Sequence, residues 1–299
     1  MTDRDLEVEG RRVRITHPDK VLFPGDGITK LDLADYYLRV APVMLPHIRD
    51  RPLTQHRWPE GLGGTDFWHK QIPKYFPEWI DRVEVETNKG PQQQVVANEP
   101  GTMAYLVNQN CITPHVWLSR RPALHRPDEL MFDLDPAGPR DFATVRAGAR
   151  FLRDVLQDLG LTPFVKTTGS KGLHVVAPIR PSSTFEKAHE AALAVAAILL
   201  DDAPDRFTLE FYKEKRRGRV FVDVHRNAYA QTAVPPYAVR ARRGAPVAAP
   251  VTWDELGRVT PERFTIRNLF RRLSRRNDPW ADIDRQAGTL DGVVERLRG

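Results

Sequence analysis

From residue 130 onward, apolar and polar positions alternate in blocks that define an element order. Leu130-Met-Phe-Asp-Leu-Asp135 is a short apolar run closed by Pro136, which reads as a strand. Phe142, Val145, Phe151, Leu152, Val155 and Leu159 recur at helical spacing, so 141–159 is predicted as a helix with Asp141 as N-cap and Gly160 as its stop. Two further strands, 162–168 and 173–178, flank the tight loop Gly169-Ser-Lys-Gly172. A second helix opens on the capping box Ser183-x-x-Glu186 and runs to about 202. A last strand follows at 219–225. The order β-α-β-β-α-β predicts an α+β fold, a ferredoxin-like (split βαβ) unit. Its strand order, 4-1-3-2, puts the first strand between the fourth and the third.

The first 128 residues are less regular. Thr29 caps a helix to about 48 with Leu31, Leu33, Tyr36, Tyr37, Val40 and Val43 among its apolar positions, and strands are expected at 53–58, 82–87 and 93–97. Residues 1–128 thus read as an α+β module packed on a catalytic module at 129–260, extended after 226 and followed by a helical segment at 261–299. Together they make one domain of 1–299.

Composition narrows the classes. With 41% hydrophobic and 28% charged residues the chain is globular, and no apolar run reaches the length that spans a bilayer. The polar start Met1-Thr-Asp-Arg-Asp-Leu-Glu lacks a signal peptide. A cytoplasmic, nucleoid-associated protein with no membrane partner is expected. One cysteine, Cys111, excludes an internal disulfide and a multi-cysteine zinc site and reads as a small buried hydrophobe. The net charge of +6 gathers at 213–219, at Arg240, Arg242 and Arg243, and at 267–276, which favours a polyanion such as nucleic acid. For 267–276 a second reading stands beside this one: arginines on the solvated side of a helix whose apolar side is Ile266, Leu269, Phe270 and Leu273.

Three acids resist a purely structural explanation. Asp133 and Asp135 are two apart on a strand and so share a face, while Phe132 and Leu134 point into a core. Asp223, in Val220-Phe-Val-Asp-Val224, stands on the strand that the topology places alongside, with His174 on the other side. Unpaired buried charge costs several kcal/mol, so such acids imply a cation, here Mg²⁺ or Mn²⁺. Three converging carboxylates suit two-metal phosphoryl transfer, the ions completing their shells with substrate phosphates. Thr168-Gly-Ser-Lys-Gly-Leu-His174 offers the phosphate side: Gly169 and Gly172 free backbone N–H groups, while Ser170, Lys171 and His174 add donors. It is not a P-loop, since the spacing differs and a strand follows. By itself the loop also fits a plain turn.

With these residues laid out, the chain resembles the archaeo-eukaryotic primase superfamily, and most of all the polymerase domain of bacterial ligase D. Thr16-His-Pro-Asp-Lys-Val-Leu-Phe-Pro24, Phe132-Asp-Leu-Asp-Pro136, Gly169-Ser-Lys-Gly-Leu-His174, Val220-Phe-Val-Asp223 and Pro236-Tyr-Ala-Val-Arg240 carry the resemblance, in this order. No ligase lysine motif or nuclease region is visible, so the chain looks like a stand-alone version.

The resemblance implies a template-dependent polymerase that fills gaps and extends DNA ends in double-strand break repair by end joining, preferring ribonucleotides. Asp133 and Asp135 would hold two Mn²⁺ or Mg²⁺ ions and Asp223 the catalytic one. Ser170, Lys171, Gly172, His174 and Arg240 would contact the NTP or dNTP, with Arg216 and His115 as helpers; His115 also fits a structural role. Lys20 and Lys30 would grip the 5'-phosphate of a gapped or overhanging duplex, where the residue-level alternative is two solvated lysines. Phe67 or Trp68 would stack on the template. Where some relatives carry a lysine, this chain has His56. Implied partners are DNA ends, a Ku-like end-binding protein and a separate DNA ligase. Rival readings are a primase that starts strands, a catalytically silent end-binding module and a DxD glycosyltransferase.

Overall fold

Two units that interleave in sequence make up the computed structural model, which describes residues 2–138 and 141–298. The first unit takes the chain up to Trp117, then Thr232–Ala248 and Phe264–Arg275; the second takes Leu118–Gln231, Ala249–Arg263 and the chain from Arg276.

The first unit opens with two small hairpins, β1 (Arg4–Val8) with β2 (Arg11–Ile15) and β3 (Val21–Phe23) with β4 (Ile28–Thr29). Helix α1 (Lys30–Ile48) follows, begun by a reciprocal cap: the Thr29 hydroxyl accepts from the Asp32 backbone N–H, and the Asp32 carboxylate accepts from Thr29 N–H. The expected helix therefore forms, and it continues through Pro42 and Pro46. An interior proline costs about 3 kcal/mol; here burial of Leu33, Tyr36, Tyr37, Val40 and Met44 offsets it. β5 (Pro52–Arg57), β6 (Phe67–His69), β7 (Arg82–Val85), β8 (Gln92–Val96), α2 (Pro100–Asn108) and β9 (Cys111–Trp117) complete the main body. The strand Thr232–Ala233 joins β9 at one edge of the β9-β5-β8-β7 sheet. Tyr36 and Tyr37 anchor that returning segment: Tyr36 Oη donates to the Tyr237 carbonyl (2.7 Å), and Tyr37 Oη accepts from Val239 N–H (3.1 Å). Cys111 is buried and its thiol is pushed up to about 12 by that burial, as befits an inert core residue.

The second unit contains β10 (Glu129–Asp135), α3 (Phe142–Asp158), β11 (Phe164–Thr167), β12 (Leu173–Pro178), α4 (Phe185–Asp202), β13 (Phe207–Thr208) and β14 (Val220–Asp223). Counting Thr232–Ala233 as β15, β16 (Pro250–Val251) closes the sheet in the order β13-β14-β10-β12-β11-β16. The inner four strands have the expected ferredoxin-like order, with short edge strands added on both sides. Helices α3 and α4 pack on the sheet and on each other.

Three local expectations differ. The N-cap of α4 is Thr184, whose hydroxyl accepts from Lys187 N–H, one residue beyond the expected Ser183. Asp141 is the N-cap of α3 as expected, but its side chain makes no cap hydrogen bond to the helix and accepts from Gly138 N–H instead. Among the described residues the expected helical stretch at 261–299 is helical only in α5 (Leu269–Leu273), a 3-10 turn at Ile283–Gln286 and α6 (Leu290–Arg298), because Pro279 and Gly288 interrupt it. Among the described residues no helix is long and apolar enough to cross a membrane.

Candidate active site

The centre of the second unit's sheet carries a polar row across four strands. Asp133 on β10 stands opposite Asp223 on β14 and opposite His174 on β12, and His174 in turn stands opposite Lys166 on β11. Directly opposed residues in antiparallel strands point to the same face. Asp135, two along β10, shares it. The other face of β10 is apolar, with Leu130, Phe132 and Leu134 fully buried. The row itself is also withdrawn from solvent: Asp133 is 9% exposed, Asp223 5%, His174 3% and Lys166 1%.

Two carboxylates placed opposite each other repel, and the fold compensates only partly. His174 Nε2 lies 3.4 Å from Asp133 Oδ2, and Arg226 Nε lies 3.4 Å from Asp223 Oδ2. Asp223 Oδ1 also accepts from the backbone N–H of His225 (2.8 Å). Asp135 bears the remaining strain. Burial, then the charge of Asp133, pushes its carboxyl up to about 7, with Asp223 acting in the same direction and Arg216 and Arg226 against it.

A divalent cation suits this donor set. The ligands are hard carboxylate oxygens, and one of them is held back from ionising by burial and by its neighbours' charge. Among the described residues no three His, Cys, Asp or Glu side chains are already gathered as a metal cage.

Position is enforced from below. Asn227, fully buried, donates to the carbonyls of Met131 (2.7 Å) and Val224 (2.8 Å) and accepts from Met131 N–H (2.8 Å), tying the turn after β14 to β10. Neither Asn227 nor Lys166 was singled out in the sequence; the available signal for Lys166 was a cation inside the apolar run Pro163-Phe-Val-Lys-Thr.

The Gly169–Gly172 loop lies against the same strand, for a reason other than the expected one. A Cβ on Gly172 would sit 2.0 Å from the Leu134 carbonyl oxygen and 3.5 Å from Asp135 Oδ1, so only glycine lets the loop pass this close to the acids. The Thr168 hydroxyl accepts from Ser170 N–H (3.3 Å) and Gly172 N–H (3.2 Å), so those two donors point into the loop and not outward. What the loop presents outward is the side chains of Ser170, half-buried, and Lys171, exposed. Arg216 is buried and donates to the Glu210 and Phe211 carbonyls (3.0 and 2.7 Å), its guanidinium 4.0 Å from the ring of Phe221, the residue opposite Asp135.

The remaining sequence-derived candidates belong to the first unit. Lys20 and Lys30 are neighbours there: Lys30 N–H donates to the Lys20 carbonyl (2.8 Å). They are not two solvated lysines, since Lys30 is 3% exposed, donates to the Asn108 carbonyl (3.2 Å) and has its pKa lowered to about 8 by burial and then by the charge of Lys20. Lys20 Nζ donates to the Pro59 carbonyl. Phe67 and Trp68 are 41% and 50% exposed on β6. Trp68 stacks on His56 (4.2 Å, 7°), which pairs with Asp66 (2.6 Å), and meets His115 edge-on (4.7 Å). Arg240 lies in the returning segment, its N–H bonded to the Pro246 carbonyl.

Fold and acid row together define a mixed α/β protein with a polar, acidic centre on its β10-β14 strands. A family model described as LigD, primase-polymerase domain, matches residues 29–280. The chain is 34% identical over 285 residues to the multifunctional non-homologous end joining protein LigD of Mycolicibacterium smegmatis, covering 95% of this chain and 37% of that protein. It is 30% identical to the protein of the same name from Pseudomonas aeruginosa, covering 96% and 34%. The solved polymerase domain from Mycobacterium tuberculosis ligase D in complex with DNA superposes with a TM-score of 0.86 at 36% identity, covering 92% of this chain and 99% of that one. This chain belongs to the LigD primase-polymerase domain family. It spans well under half of the length of these two full-length relatives.

Proposed function

We propose that this chain is a template-dependent nucleotidyltransferase that fills gaps and extends DNA ends during double-strand break repair by end joining, with ribonucleotides preferred. The observation that carries this reading is the register Asp223–Asp133–His174, with Asp135 beside it on the same face. Family membership supports it, as does the DNA-bound state of the structurally similar mycobacterial domain.

Asp133, Asp135 and Asp223 would hold Mn²⁺ or Mg²⁺, which when bound would supply Lewis-acid activation of the attacking hydroxyl and charge neutralisation at the phosphates. The chain's own residues do the rest. Asp133 is kept in place by His174, and Asp223 by Arg226 and the His225 N–H. Lys171 and Ser170 present a cation and a hydroxyl toward a polyphosphate. Lys20 and Lys30 would receive a downstream 5'-phosphate, and Trp68, braced by His56, a template base. DNA ends, nucleoside triphosphates, a Ku-like end-binding protein and a DNA ligase activity are the partners this role requires.

Primer extension on a gapped, 5'-phosphorylated duplex with NTPs or dNTPs and each metal tests the reading. Wild type should extend the primer, while Asp133→Ala with Asp135→Ala should not. Extension unchanged by the double substitution would refute the role of the acids, and a wild type that never extends the primer would favour a silent end-binding module. Products from an unprimed template would identify the strand-starting activity of a primase.

A further inference from the structure

Phe211 and Tyr212 are consecutive in the second unit, and they are 60% and 56% exposed. They lead into Lys213-Glu-Lys-Arg-Arg-Gly-Arg219, which holds five cations against one carboxylate. Their backbone is fixed. The buried Arg216 donates to the carbonyls of Glu210 and Phe211, and the Glu210 carboxylate accepts from Tyr212 N–H (3.1 Å). Phe211 meets Phe221 (6.4 Å), His225 (6.1 Å) and Tyr212 (5.6 Å) edge-on, at interplanar angles of 80° to 90°. Lys215 Nζ lies 5.1 Å from the Tyr212 ring centre. The segment is thus pinned beside Phe221, the cross-strand partner of Asp135, while two aromatic rings stay in water.

Exposed aromatic surface that the fold holds in place marks a binding site more often than a packing defect. Cations alone would suit any polyanion. Rings interleaved with cations suit a polymer that offers flat apolar faces and phosphates together, which is a single nucleic-acid strand. Duplex DNA keeps its base faces stacked inside, and an acidic protein has none to offer.

We propose that Phe211 and Tyr212 form a stacking platform for unpaired bases of a DNA or RNA strand, with Lys213, Lys215 and Arg217 contacting its phosphates. That this platform would serve the reaction at the acid row rests on the nucleotidyl-transfer reading; the strand binding itself does not.

The test is fluorescence anisotropy of the full chain, without nucleotide or metal, on labelled oligothymidylate, oligouridylate and a blunt duplex. Phe211→Ala with Tyr212→Ala should weaken single-strand binding at least about tenfold while changing duplex binding less than about twofold, the size expected for lost base stacking. DNA and RNA arms that respond alike are expected, since stacking does not read the sugar. Unchanged affinity, or equal weakening on the duplex, would overturn the proposal. So would polyaspartate binding as tightly as the oligonucleotides, which would point to an acidic protein surface. Should the double alanine variant fail to fold, Tyr212→Trp decides: added tryptophan emission quenched by oligothymidylate supports the platform, and emission unmoved at saturation overturns it. A wild type that needs the platform to bind strands yet never extends a primer would remove the transfer reading alone. A primer-extending wild type whose strand affinity ignores both rings would remove the platform alone.

Discussion

Replacing Asp135 by Asn should stabilise the metal-free protein, and by an amount that grows with pH. In the folded chain burial and Asp133 hold the Asp135 carboxyl at about 7, against an ordinary 3.8. Between these values the folded state carries a proton that the unfolded state has released. Stability therefore falls as pH rises through about 4 to 7 and levels off above. Integrating that difference gives a cost on the order of 2 kcal/mol at pH 5 and 4 kcal/mol at pH 8. The amide has no charge to bury, so Asp135→Asn should gain about 2 to 4 kcal/mol at pH 8, or roughly 3 to 6 °C in Tm, and less at pH 5. Thermal melts in chelator at the two pH values measure this. Adding Mn²⁺ at pH 8 should raise the wild-type Tm and barely move the variant. A variant equal to or below wild type at pH 8, with no change in the pH slope, would refute the electrostatic picture of the row.

Other consequences follow from single contacts. Gly172→Ala places a methyl group 2.0 Å from the Leu134 carbonyl; it should cost several kcal/mol by forcing loop and strand apart, visible as a drop in urea midpoint together with lost extension activity. Asn227→Ala strands buried Met131 backbone groups and should destabilise by about 2 to 4 kcal/mol in chemical denaturation. Because the Lys30 pKa is lowered to about 8, the preference for 5'-phosphate over 5'-hydroxyl duplex should shrink between pH 7 and pH 9 as that ammonium deprotonates. Lys30→Arg, charged throughout, should keep the preference at pH 9 in the same competition assay.

The second unit was legible because its signals are local. Apolar blocks and glycine punctuation fixed the helix from Phe142 and the strands at Leu173–Pro178 and Val220–Asp223, and topology then made Asp223 a neighbour of Asp133. Features that depend on two distant segments were not legible. Gly172 read as a phosphate-loop glycine, whereas its small size answers to the Leu134 carbonyl. Lys166 shows in the sequence only as a cation in an apolar run, and its place in the row depends on β12 setting it opposite His174. The two-residue strand Thr232–Ala233 has no periodicity to detect, and its place depends on pairing with Trp117 and Val116. The expected C-terminal helix failed because arginine-rich sequence has helical propensity, while Pro279 and Gly288 break it. Lys20 and Lys30, ten residues apart, became a pair only through the turn that joins the Lys20 carbonyl to Lys30 N–H.

Under the proposed function the carboxylates of the row perform nucleotide transfer and do not merely shape a DNA-binding surface. Single-turnover addition of one nucleotide to a gapped, 5'-phosphorylated duplex, measured for wild type and Asp223→Asn with DNA affinity determined on the same samples, tests it most directly. The account predicts a rate at least about a thousandfold lower, as for loss of a metal-holding group at a reacting centre, with DNA affinity within about threefold. A variant that adds the nucleotide within tenfold of the wild-type rate (roughly 1.4 kcal/mol in barrier) would contradict it.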